Sequence, residues 1–179
     1  MFDPITHARA PTGALRLSMN PVTAGQDCMC CRNTTARLSV ADIPLCPTCA
    51  PAYALDEPDI DTVAVLIWLP QMDQGVLGRL ASAIYVAKTH PDAARGEGAA
   101  RAEQANLVFL ALYKLREQAQ ERFGTNSPAA LRRIVSTTPC DDLFGRQGTS
   151  GLRILMRGQW FGADPDFYTR TLRLWAAGL

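Results

Sequence analysis

Five of the six cysteines fall in one short stretch, Cys28-Met29-Cys30-Cys31 followed by Cys46-Pro47-Thr48-Cys49. A Cys-x-x-Cys knuckle turns two thiolates toward one ion, and two knuckles complete the tetrahedral four-sulfur shell of structural zinc. The spacing predicts one Zn2+ held by Cys28, Cys31, Cys46 and Cys49. Cys30 lies inside the first knuckle, but only the Cys28/Cys31 choice repeats the gap of the second, so Cys30 reads as a spare. Two disulfides or a redox dithiol are the alternatives. Residues 1–7 lack a basic head followed by an apolar core, so the cysteines are expected in a reducing, cytoplasmic compartment. A thioredoxin-type site would use a single knuckle in a βα context.

The knuckles need a frame. Between them Ala36-Arg37-Leu38-Ser39-Val40 alternates like one arm of a hairpin, Asp42-Ile43-Pro44 turns the chain back, and Pro47 suits the start of a helical turn. This pattern reads as a treble-clef-like or zinc-ribbon knuckle. Upstream, residues 1–13 lack periodicity and are expected to be a flexible N-terminus, and residues 15–19 alternate as a short strand pairing near the zinc module. Downstream, the acidic run over residues 56–61 reads as a solvated linker; a second metal there is the lesser reading, since no histidine accompanies the carboxylates.

The remainder supplies a core. The chain has 179 residues, 47% of them hydrophobic, enough to fold without disulfides, and its formal net charge of +1 argues against a broadly basic nucleic-acid surface. The longest apolar run, residues 63–70, is too short for a membrane helix and reads as a strand covered on both faces. Asp73 caps a helix whose stripe is Val76, Leu77, Leu80, Ala81, Ile84 and Ala87, ended by His90-Pro91. A charged glycine-containing loop over residues 92–98 precedes the longest helix, residues 99–123, striped by Ala105, Val108, Phe109, Leu112, Leu115 and Ala119 and closed by Gly124. Ser127-Pro128 begins another helix, burying Leu131, Ile134 and Val135 and leaving Arg132 and Arg133 to solvent. Residues 152–156 form a strand, and a final helix, capped by Asp164 and opened by Pro165, buries Phe167, Thr171, Leu174 and Trp175. Cys140 reads as a small buried hydrophobe.

Read together, residues 15–19, the paired knuckles, Leu66-Ile67-Trp68-Leu69-Pro70-Gln71-Met72-Asp73-Gln74 leading into Val76-Leu77, and Arg122-Phe123-Gly124 resemble the IcmJ/DotN family of type IVB secretion systems over residues 14–135. The resemblance implies an α+β fold: a treble-clef/HNH-like zinc module with a small sheet packed by three to four helices. The chain itself is read as one zinc-containing domain over residues 14–179, with the zinc module over 26–55, a helical part over 62–136 and a C-terminal strand and helix over 140–179, the last of which lies beyond the resemblance. The resemblance further implies a non-catalytic adaptor of the coupling complex, binding the coupling ATPase at the cytoplasmic face of the inner membrane. The chain departs from the family pattern in a shorter interval between knuckles and in Cys30, which implies a trimmed hairpin.

Two function classes follow. In the first, an adaptor docks its partner through the aromatic anchors Trp160, Phe161, Phe167, Tyr168 and Trp175; the same residues would equally serve to cover a sheet. In the second, a zinc module contacts DNA phosphates through Arg32, Arg37, Arg132, Arg133, Arg146, Arg153 and Arg157, a reading weakened by their spread and by the balanced charge. An enzyme is not expected, because nuclease chemistry on such a fold needs histidines. The chain has two, and both His7 and His90 read as surface residues.

Overall fold

The strand read from residues 63–70 is the spine of the second half of the chain. In a computed structural model, which describes residues 7–9, 14–18, 25–137, 151–162 and 166–176, the protein is α+β, with two small antiparallel sheets. The first sheet, in the order β1-β2-β3, joins β1 (Leu17–Ser18), β2 (Leu38–Val40) and β3 (Ile43–Leu45). Its hairpin turns at Ala41 and Asp42, both at positive φ (46° and 63°), the backbone that a two-residue turn between twisted strands requires. Ile43 and Pro44 therefore belong to the returning strand and not to the turn. Pro44 sits on an edge strand, where a missing N–H is tolerated, and its carbonyl accepts the Met29 N–H at 2.9 Å.

A 3₁₀ turn (Ala50–Ala52) and the short helix α1 (Ile60–Val63) lead into β4 (Ala64–Trp68), which pairs with β5 (Leu152–Met156), Leu66 opposite Ile154. Two strands alone leave two edges of unpaired backbone, which is costly when buried. Here both edges are covered. Leu66 and Trp68 donate to the carbonyls of Asn126 (2.9 Å) and Leu115 (3.2 Å). On the other side helix α2 (Gln74–Thr89) serves β5: the buried Gln74 amide donates to the Ile154 carbonyl at 2.8 Å and accepts the Ile154 N–H at 2.9 Å, and the Tyr85 hydroxyl donates to the Met156 carbonyl at 2.8 Å. Asp73 caps α2 as its position predicts, accepting the Val76 N–H at 2.7 Å.

The helix expected over residues 99–123 is two. Helix α3 (Gly96–Lys114) ends where the Leu115 carbonyl takes the Trp68 N–H, and α4 (Arg116–Phe123) then runs to Gly124, at φ 72°. The segment expected as a loop contains a 3₁₀ turn (Pro91–Ala94) and the start of α3. Helix α5 (Pro128–Thr137) is capped by the Ser127 hydroxyl, which accepts the Ala130 N–H at 2.9 Å. The last helix, α6 (Phe167–Ala176), buries Tyr168, Thr171 and Leu172. Leu174 is 46% exposed, so the buried stripe is rotated from the expected one, because α6 leans on the Tyr85 and Trp160 rings through Tyr168. Asp164, Pro165, Cys140 and Arg146 lie outside the described residues.

The acidic run is a fastening and not a solvated linker. Asp56 accepts the Leu15 N–H at 2.7 Å and a two-pronged Arg132 guanidinium at 3.0 and 3.1 Å, Glu57 accepts the Leu17 N–H at 2.8 Å, and Asp61 accepts the Ser127 hydroxyl and the Ala129 N–H. Arg132 also donates to the Ala8 carbonyl. It is thus an internal clamp, whereas Arg133 is exposed as expected. Burial pushes the Asp56 carboxyl up, but hydrogen bonds from Arg132 and the Leu15 amide outweigh it and leave it below the usual carboxylate range. Residues 7–9 are correspondingly held: Ala8 is buried, and His7 is half-buried with its Nε2 2.8 Å from the Tyr53 carbonyl oxygen.

Gln74→Leu should cost about 3 kcal/mol, since it strands two buried backbone groups of Ile154, read as a lowered urea midpoint at unchanged slope. Gln74→Glu buries a carboxyl whose folded-state pKa is raised by desolvation, so its stability should rise as pH falls from about 8 to about 5, where a protonated oxygen restores the lost donor. A midpoint for Gln74→Leu equal to wild type would show that this pairing contributes nothing.

Candidate metal centre

The two knuckles converge because the first sheet and α2 bring them together. The Met29 N–H bonded to Pro44 fixes the first knuckle against β3, and within it the Arg32 N–H returns to the Cys28 carbonyl at 2.8 Å. Arg32 takes a positive φ of 54° to close that turn. In the second knuckle the Cys49 and Ala50 N–H groups return to the Cys46 carbonyl at 3.1 and 2.9 Å. The helical turn expected from Pro47 thus becomes a tight turn leading into the 3₁₀ helix.

The Sγ atoms of Cys28, Cys31, Cys46 and Cys49 lie within 4.8 Å of one another and are all buried. Sulfurs about 2.3 Å from a central tetrahedral ion stand about 3.8 Å apart; Cys31 and Cys46 are 3.8 Å apart. A disulfide would need about 2.05 Å, and none of the five described cysteines is bonded to another. The site therefore fits one four-coordinate ion and could bind it. Cys30 is outside the four, half-buried in a polar cavity of about 340 Å3 with Arg32, Tyr53, Asp73 and Arg79.

Crowding splits the thiols electrostatically. Cys31 is held far below the ordinary thiol range by hydrogen bonds from Cys28, then from Cys46 and Cys49. Cys46 and Cys49 are pushed up, chiefly through their bonds to Cys28. Four thiolates this close repel one another in water-poor surroundings, and a dication relieves that repulsion by displacing the remaining protons.

Helix α2 forms the wall of the centre. A Cβ on Gly78 would stand 2.7 Å from Cys49 Sγ, and one on Gly75 would stand 2.3 Å from the Cys30 carbonyl oxygen. Arg79 donates to the Cys31 carbonyl at 2.9 Å, and the Ser82 hydroxyl donates to Thr48 Oγ1 at 2.8 Å. Residues 75, 78, 79 and 82 thus form one helical face on both knuckles. Sequence reasoning passed over them, although a Gly-x-x-Gly inside a helical pattern signals a close approach.

The other candidate residues are dispersed. Trp160, Phe161 and Tyr168 are buried, and Phe167 and Trp175 pack half-buried against the same core. Three of the five expected docking residues thus lie inside the core, where Tyr168 packs edge-on to Tyr85 at 5.6 Å and stacks on Trp160 at 6.1 Å. Arg153, proposed as a phosphate contact, is 2% exposed and donates to the Met72 and Leu152 carbonyls. Arg157 donates to the Asp61 carbonyl at 2.9 Å. Arg32 and Arg37 are exposed as expected. His90 accepts the Asp92 N–H through Nδ1 at 3.1 Å and sits at the end of α2, away from the cysteines in sequence. No family model and no curated protein sequence matches the chain.

Elemental analysis of protein purified without added metal should give one zinc per chain, and Cys46→Ser or Cys49→Ser should lose both zinc and cooperative unfolding. Cys30→Ser should keep the metal; loss of zinc there would displace Cys28 or Cys31 from the ligand set. Gly78→Ala should speed zinc transfer to a chromophoric chelator and lower Tm, because its methyl must push Cys49 aside. An unchanged transfer rate would mean that α2 does not restrain that ligand.

Proposed function

We propose that the protein is a non-catalytic, zinc-stapled adaptor of a type IV (IVB-like) secretion or conjugation system that binds the coupling ATPase and aids substrate recruitment. The observation that carries the non-catalytic part is the closed sulfur shell: Cys28, Cys31, Cys46 and Cys49 are each no more than 2% exposed. Structural zinc sites use four protein ligands, whereas catalytic ones keep a position open for water or substrate. Zinc is the metal favoured by an all-thiolate tetrahedral set. A treble-clef/HNH-like arrangement is supported by the order hairpin, second knuckle, short helical turn.

The coupling-complex assignment rests on the resemblance over residues 14–135, and it places the protein in the cytoplasm at the inner-membrane face through its partner. Among the described residues no helix is long and apolar enough to cross a membrane. The DNA-binding alternative loses support, because Arg132, Arg153 and Arg157 are engaged within the chain.

The zinc-loaded protein should co-purify with the coupling ATPase and hold it through moderate salt, since apolar contact resists screening. Affinity for duplex DNA should be negligible, and supercoiled plasmid should stay intact with or without magnesium. Tight DNA binding that falls steeply with salt, with no ATPase retained, would replace the adaptor by a nucleic-acid module.

A further inference from the structure

Helix α3 carries an apolar face that the other described residues leave uncovered. Leu107 is 60% exposed and Leu110 51%, and at 3.6 residues per turn the two lie about 60° apart on one face of the helix; Val108, 42% exposed, lies toward its flank. Its opposite side packs inward, with Phe109 against Tyr85 at 5.8 Å and Leu112 buried. Glu103 and Lys114 flank the two leucines. Residues 103, 107, 110 and 114 follow a 4-3-4 spacing, the seam along which one helix packs on another, and all four are exposed.

We infer that this seam is the contact face for a second copy of the chain, with the two α3 helices antiparallel about a two-fold axis. Leu107 and Leu110 share a midpoint, between Val108 and Phe109, and Glu103 and Lys114 share the same one. A two-fold axis there sets Leu107 of each copy on Leu110 of its partner and Glu103 on Lys114. The pattern read backwards is thus complementary to itself, which a two-fold interface requires. A parallel pairing would instead set Glu103 on Glu103 and Lys114 on Lys114. Neither side chain has an ion-pair partner among the described residues. Antiparallel helix dipoles favour the same arrangement. One helix of 19 residues spans about 28 Å, so the contact is smaller than the roughly 800 Å2 per partner of a standard interface, and the dimer is weak and concentration-dependent.

Sedimentation equilibrium of the full-length, zinc-loaded protein over a dilution series tests this. The weight-average mass should climb from one chain toward two as concentration rises. Leu107→Glu should abolish the climb with its circular dichroism and zinc content intact. Glu103→Lys and Lys114→Glu should each weaken the dimer about tenfold, since two symmetric ion pairs become repulsive in each case, and the double variant should recover wild-type association. A monomer at every concentration overturns the inference, even if this face then captures a helix of another protein. A dimer indifferent to Leu107→Glu, or a double variant as weak as the singles, overturns it equally.

Discussion

Four thiols within 4.8 Å of one another cannot all ionise without a cation between them, and that constraint organises the chain. A structural zinc site is worth about 10–16 kcal/mol in small zinc-finger peptides, as much as the whole stability of an ordinary domain. The knuckles come from opposite ends of a short hairpin whose strands are only three residues each, too little to persist alone. Helix α2 extends the dependence across the molecule. It meets both knuckles through Gly75, Gly78, Arg79 and Ser82 and meets β5 through Gln74 and Tyr85. Loss of the ion would therefore loosen the wall that also closes the second sheet.

Charge is used mostly at short range. Asp56, Glu57 and Asp61 accept backbone and side-chain donors from Leu15, β1, α5 and its capping residue, so one acidic run fastens the N-terminal segment and α5 together. Arg132 joins that fastening while Arg153 satisfies carbonyls inside the core. Cations so placed are poor phosphate ligands, since freeing them would leave buried acceptors unpaired. The near-neutral net charge and the arginines engaged within the chain both leave less cationic surface for phosphate.

What was legible in the sequence was what is decided locally. Knuckle spacing is a property of four residues, and the Asp73 cap, the Gly124 stop and the β4 and β5 strands depend on neighbours within a turn or a pleat. What was not legible is decided by distant partners. Residues 99–123 read as one helix because nothing local breaks them; the break at Leu115 comes with a hydrogen bond from Trp68. Arg132 reads as solvent-facing until Asp56 and Ala8 are brought beside it. The stripe of α6 was misplaced because Tyr168, amphipathic by type, is claimed by Tyr85 and Trp160. Gly75 and Gly78 signal a close approach, but that a carbonyl and a sulfur stand where their side chains would be is decided by the distant knuckles.

The aromatic residues near the C-terminus bear on where contacts with other chains are made. An anchor lowers binding free energy only if its apolar surface is in water before association. Trp160, Phe161 and Tyr168 are already dry, so association has little of their surface left to bury. The apolar surface still in water on α3 belongs to Leu107, Val108 and Leu110, whose helix is braced from behind by Phe109 and Leu112. That bracing holds the exposed side chains on a rigid element, which reduces the ordering cost of association. A face built in this way favours a partner that is itself a preformed helix over an extended tail. A second copy of the same helix meets that requirement and supplies the complementary charges as well.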